Sequence, residues 1–95
     1  MLSNSKLDAG QKANRKGMIK ALPDGSSLAC VGVLTILCIP RGSVTEVFSS
    51  VMSPDEKKFR AKVGEFHALC RYFNGGAGLI LPGMWDADTL AEILA

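Results

Sequence analysis

Histidine is nearly absent from this chain of 95 residues, which contains one His, one Trp, one Tyr and three Cys. Any catalytic triad or dyad would therefore have to use His67. The chain has no Gly-x-Ser-x-Gly sequence, so the nucleophile elbow of α/β-hydrolases is not supported. Cys70 follows His67 by three residues and would be its neighbour on a helix, but a thiol on an apolar helix face is inert. The sequence predicts that the protein is not an enzyme and uses no cofactor.

Long hydrophobic runs are also missing. The longest extends from Leu28 to Ile39, with only Gly32 and Thr35 interrupting it. It is shorter than the roughly 20 residues that a membrane-spanning helix needs. The first residues have no apolar segment of the secretory type, and an odd number of cysteines argues against a disulfide framework. We expect a cytoplasmic protein that does not contact membranes.

Metal ligands are few and poorly spaced. Three thiols and one imidazole form a set that zinc accepts, but Cys-x-x-Cys spacing is absent. Two of the thiols lie inside the apolar run, where small buried cysteines are common. We therefore expect no metal site, although the potential ligands would be Cys30, Cys38, His67 and Cys70.

Charge is balanced overall, with 11 Lys and Arg against 9 Asp and Glu. Residues 1–22 are nevertheless basic, with Asp8 as their single acid. On a helix, basic residues spaced by four would form a stripe that contacts phosphates. No aromatic residue is present there to stack on bases, so nucleic-acid binding through backbone contacts is an alternative function. Its candidate residues are Lys12, Arg15, Lys16 and Lys20.

Four helices are predicted from local patterns. Ser53-Pro54-Asp55-Glu56 has the spacing of a capping box and would begin a long helix that ends near Phe73. Ser43 to Glu46 has the same spacing and predicts a shorter helix up to Val51. Asp86 or Asp88 would cap a helix over residues 87–95, and a weaker helix is predicted between Asp8 and Leu22.

The segment from Leu28 to Ile39 is ambiguous, because its β-branched residues favour a strand while its length allows a helix. The only other strand candidate is Leu79-Ile80-Leu81, so a sheet would have few members. We therefore predict an all-α fold, a single-domain helical bundle over residues 1–95 with a central apolar helix and possible disorder in residues 1–7. The alternative is an α+β fold with a short sheet from residues 28–39 and 79–82.

The C-terminal region is acidic, and no Lys or Arg follows Arg71. Its side chains include types that are enriched at the centres of protein interfaces. With no catalytic constellation, the sequence favours a small interaction protein that acts through a helical surface and self-associates as a homo-oligomer, such as an adaptor, inhibitor or assembly factor. The candidate interface residues are Met84, Trp85, Leu90 and Ile93.

Overall fold

The computed structural model describes residues 6–52 and 58–95. In these ranges the chain forms one antiparallel sheet with the strand order β1-β2-β3-β4, together with three helices. The elements are, in chain order, α1 (Ala9–Ala21), β1 (Ser27–Val31), β2 (Leu34–Arg41), β3 (Val44–Val51), α2 (Ala61–Phe73), β4 (Leu79–Pro82) and α3 (Ala87–Leu94).

Two tight hairpins build the first three strands. Val31 pairs with Leu34, and Arg41 pairs with Val44, so each connection has only two residues. The first residue of each turn is a glycine with positive φ, +58° at Gly32 and +68° at Gly42. Two-residue turns of this kind match the right-handed twist of the strands that they join. Glycine is suited to these positions because it has no Cβ.

The prediction of an all-α bundle is wrong. Residues 28–39 belong to two strands and their turn, and Val44–Val51 is a strand where a helix was predicted. The reason is that β2 is covered on both faces, so the five residues Thr35–Ile39 are all buried and show no alternation. The alternative α+β fold placed strands correctly in both of its segments but omitted β3.

The sheet separates two layers of helices. Residues that pair directly opposite each other point to the same face, so the register assigns every strand side chain to a side. On the side that we call the α2 face, Leu37 and Phe48 pack with Leu69, and α1 packs behind through Met18 and Ile19. On the other side, the α3 face, the buried residues are Ile36, Cys38 and Ala87.

The helices agree better with the sequence. Asp8 caps α1 in a complete capping box with Gln11, and the two hydrogen bonds measure 2.8 and 3.0 Å. Asp86 caps α3 by accepting from the Thr89 amide at 2.7 Å. The long predicted helix ends at Phe73 as expected. Its predicted length of about 20 residues is wrong, because residues 58–60 are not helical and α2 begins at Ala61 after the extended residue Arg60. The predicted capping box at Ser53 lies outside the described residues.

Helix α2 buries Gly64, Phe66, Ala68 and Leu69, whereas Phe73 at its end is 40% exposed. Small residues at positions 64 and 68 allow the helix to approach the sheet closely. Of the N-terminal segment predicted to be disordered, residues 1–5 lie outside the described residues, while Leu7 is buried. Among the helices of the described ranges, none is both long enough and apolar enough to cross a bilayer.

Candidate interaction surface

The α3 face of the sheet is only half covered. Helix α3 packs on β1 and β2, through Leu90 and Ala91 against the cluster around Ile36 and Cys38. The register places six side chains of β3 and β4 on the same face, and one of them, Thr45, is buried. The other five lie beside α3, with Val47 packed against the edge of the Ile36 and Cys38 cluster. We call this surface the open half-sheet: Val47, Ser49, Val51, Leu79 and Leu81.

The open half-sheet is apolar, uncharged and accessible. Val51 and Leu79 are each 65% exposed, and Ser49 is also exposed. The exposed face of an antiparallel sheet usually carries polar side chains that alternate with the buried ones. Here four of the five residues are aliphatic and none is ionisable. Exposed aliphatic side chains gathered on one sheet face are typical of an interaction site.

The segment that follows β4 adds further exposed apolar side chains. Met84 is 69% exposed and Ile93 is 62% exposed, while Leu94 at the end of α3 is also exposed. Leu90 is different, because it is half-buried against the core cluster. Of the four interface residues predicted from the sequence, Met84 and Ile93 are thus open to solvent, and Leu90 mainly holds α3 on the sheet.

Trp85 is fixed by hydrogen bonds from both its backbone and its side chain. The Trp85 amide donates to Thr45 Oγ1 at 3.0 Å, and the same hydroxyl donates to the Gly83 carbonyl at 2.8 Å. Trp85 Nε1 donates to the Pro82 carbonyl at 2.9 Å. Thr45 is therefore buried with its hydroxyl satisfied, and the chain between β4 and α3 has a defined path.

These contacts also block the outer edge of β4. The Gly83 amide donates to the Ser43 carbonyl at 2.9 Å. Successive residues of an antiparallel strand direct their backbone polar groups to opposite sides, so the carbonyl of Pro82 points away from β3. Pro82 has no N–H, and its carbonyl is occupied by Trp85. A strand added to this edge would find few free partners there. The accessible feature of β4 is therefore its face rather than its edge.

The two helical layers carry exposed charges of opposite sign. On α3 the ionisable residues are Asp88 and Glu92, next to the capping residue Asp86. Hydrogen bonds from the Thr89 amide, and further from the Thr89 side chain, hold the pKa of Asp86 below its usual value. On the opposite side, Lys12, Lys16 and Lys20 are exposed on α1. The described residues thus form an acidic layer and a basic layer, with the sheet between them.

The basic residues predicted to contact nucleic acid are not equivalent. Arg15 donates through Nε and Nη2 to Glu65 Oε1 at 2.9 and 2.6 Å, and both side chains are largely buried between α1 and α2. Arg15 therefore holds the two helices together. The remaining three, Lys12, Lys16 and Lys20, follow the predicted spacing along one stripe of α1.

The thiols are not brought together. Cys30 pairs with Thr35 and points to the α2 face, whereas Cys38 points to the α3 face, so the two cannot bind one ion. Burial raises the pKa of the Cys38 thiol and also that of Cys70, which favours the protonated, weakly reactive form. Within residues 6–52 and 58–95, no group of three or more potential ligands could hold a metal.

Val47 and Val51 were not predicted as surface residues because β3 was interpreted as a helix. Leu79 was placed in a strand candidate but was not assigned to a surface, and the structure places it in β4. The strand β3 itself had a detectable signal. The Gly32-Val33 and Gly42-Ser43 turns between apolar segments are the signal that could have revealed β3 as a strand.

No family model, curated protein or solved structure matches this chain, so the geometry alone supports a function.

Proposed function

We propose that the protein is a non-enzymatic interaction module that self-associates through the open half-sheet. The observation that carries this proposal is the 65% exposure of both Val51 and Leu79 on an uncharged sheet face beside a helix that covers only the other half. Each such side chain gains roughly 1.5–3 kcal/mol when it is fully buried. The interacting surface is therefore largely sheet rather than helical.

A second copy of the chain is the partner that fits this surface. Most soluble homo-oligomers are two-fold dimers, in which the same surface of both copies is used and residue i contacts j while j contacts i. Each copy has one half of a sheet without a covering helix and one helix with exposed apolar residues, Ile93 and Leu94. A two-fold arrangement lets α3 of each copy cover the open half-sheet of the other. The acidic residues Asp88 and Glu92 meet no like charge on the half-sheet itself.

Three free cysteines, two of them with raised pKa, are compatible with a reducing compartment, and we place the protein in the cytoplasm. The alternative function is nucleic-acid binding through the stripe of Lys12, Lys16 and Lys20. It has less support, because Arg15 is engaged by Glu65 and no aromatic side chain accompanies the stripe.

Light scattering over a wide dilution series tests self-association. We expect a molar mass near twice the 10.1 kDa of the chain at high concentration, falling toward 10.1 kDa on dilution. A mass of one chain at every concentration would contradict the proposal. A mass that keeps rising with concentration would indicate open-ended assembly instead of a closed dimer.

A further inference from the structure

A second surface lies in the basic layer, where the beginnings of α1 and α2 meet. An open pocket of about 310 Å³ is found there. This volume is at the lower end of the range for small-molecule sites, which is about 300–1,000 Å³. Four of the seven lining residues are cationic. The lining consists of Lys6, Leu7, Lys12, Arg60, Ala61, Lys62 and Val63.

The four cations have no carboxylate partner among the described residues. The two ion pairs in that part of the chain are Arg15 with Glu65 and Arg41 with Glu46, and neither borders the pocket. Asp8 is the nearest described carboxylate in sequence; it caps α1 by accepting from the Gln11 amide and forms no ion pair with any of the four cations. Four like charges around one pocket repel each other, and an anion bound between them would remove that repulsion.

The beginning of α2 adds backbone donors to the same pocket. Its N-cap residue, Arg60, makes no side-chain capping hydrogen bond, unlike Asp8 in α1. The Val63 and Gly64 amides both donate to the Arg60 carbonyl. Ala61 and Lys62, the first two residues of α2, line the pocket, and within the described ranges no backbone acceptor for their amides is found. Free amides at the start of a helix favour an anion, and here they supplement the side-chain charges.

We infer that this pocket binds the phosphoryl groups of a small ligand, with a diphosphate as the best match. Four cationic side chains carry more positive charge than a ligand with a single carboxylate would neutralise. Lys and Arg are also the usual partners of phosphate oxygens. Leu7 and Val63 give the pocket an apolar border that suits the remainder of such a ligand. The site lies in the α1–α2 layer, on the other side of the sheet from the open half-sheet, and does not depend on self-association.

Isothermal titration calorimetry with inorganic pyrophosphate, and separately with inorganic phosphate, tests this site. We expect saturable binding of pyrophosphate, weaker binding of phosphate, and affinity that falls as salt is added. Lys12→Gln and Lys62→Gln should each weaken pyrophosphate binding about tenfold or more, the effect of losing one charged hydrogen bond. Lys16→Gln is the matched control, because it removes the same charge one turn further along α1, outside the pocket. It should change affinity less than about twofold.

Three results would overturn the inference. The first is an absence of saturable pyrophosphate binding. The second is an equal loss of affinity in Lys16→Gln and Lys12→Gln, which would indicate diffuse attraction to the basic layer. The third is tight binding of a single-stranded oligonucleotide that depends equally on Lys12, Lys16 and Lys20 and is not displaced by pyrophosphate. That pattern would support nucleic-acid binding along the stripe. Circular dichroism of each variant shows whether the fold is retained.

Discussion

Replacing Gly64 with alanine should lower the free energy of unfolding by about 2–3 kcal/mol. A Cβ at this position would clash with Thr35 Oγ1 and lie 3.3 Å from Thr35 Cβ. Thr35 is fully buried in β2, so neither side has room to move. Alanine is normally favoured over glycine inside a helix by about 0.5–1 kcal/mol, and the steric clash outweighs this gain. Urea denaturation of the variant and the original chain measures the difference.

Two further variants make the Gly64 result specific. Gly17→Ala is the matched control in α1, because a Cβ there meets nothing within 4 Å, and it should be neutral or stabilising. The double variant Thr35→Ala/Gly64→Ala lacks the clashing hydroxyl. Its loss of unfolding free energy should therefore be smaller than the sum of the losses in the two single variants. If Gly64→Ala behaves like Gly17→Ala, α2 does not approach the sheet as described.

Leu79→Lys should weaken self-association by on the order of 100-fold or more, the loss expected when an interface anchor is replaced. Leu79 lies on the open half-sheet, and burying a lysine there removes apolar contact and desolvates its ammonium group. A carboxylate on the covering α3 would offset that desolvation only in part. The side chain is 65% exposed in the single chain, so the fold should persist. Sedimentation velocity at several concentrations measures the dissociation constant.

Ile80→Lys is the matched control, because the next residue of β4 points to the opposite face of the sheet. Ile80 is 53% exposed and pairs with Glu46, so a lysine there gains a nearby carboxylate. We expect this variant to associate like the original chain. If Ile80→Lys and Leu79→Lys weaken association equally, the contact uses the edge of β4 or another surface.

The sequence predicted α1 and α3 from local signals, although the capping-box spacing at Ser43, a signal of the same kind, precedes a strand. Asp8 and Asp86 mark the starts of α1 and α3 because their side chains accept from amides three residues later. β2 was missed because burial on both faces removes the alternation that identifies a strand. In β3, Val44, Val47, Phe48 and Val51 fit a helical spacing, although Val47 and Phe48 lie on opposite faces of the sheet.

The candidate surface could be predicted only in part. Met84 and Ile93 were predicted as interface residues from residue type and position alone; both are exposed, and their role in an interface stays a prediction. Val51 and Leu79 could not be identified, because their accessibility depends on how far α3 extends across the sheet. That is a property of tertiary packing, and the local sequence does not contain it. The pocket at the start of α2 was missed for the same reason, since its cations come from separate parts of the chain.

Methyl NMR over a dilution series shows directly whether the open half-sheet is the self-association surface. We expect the methyl resonances of Val51, Leu79 and Ile93 to shift or broaden as the concentration rises. The methyl resonances of Ile19 and Ile80, which belong to the α2 side of the sheet, should stay constant. Changes confined to Ile19 and Ile80, or no change at Val51 and Leu79 while the molar mass doubles, would contradict self-association through the open half-sheet.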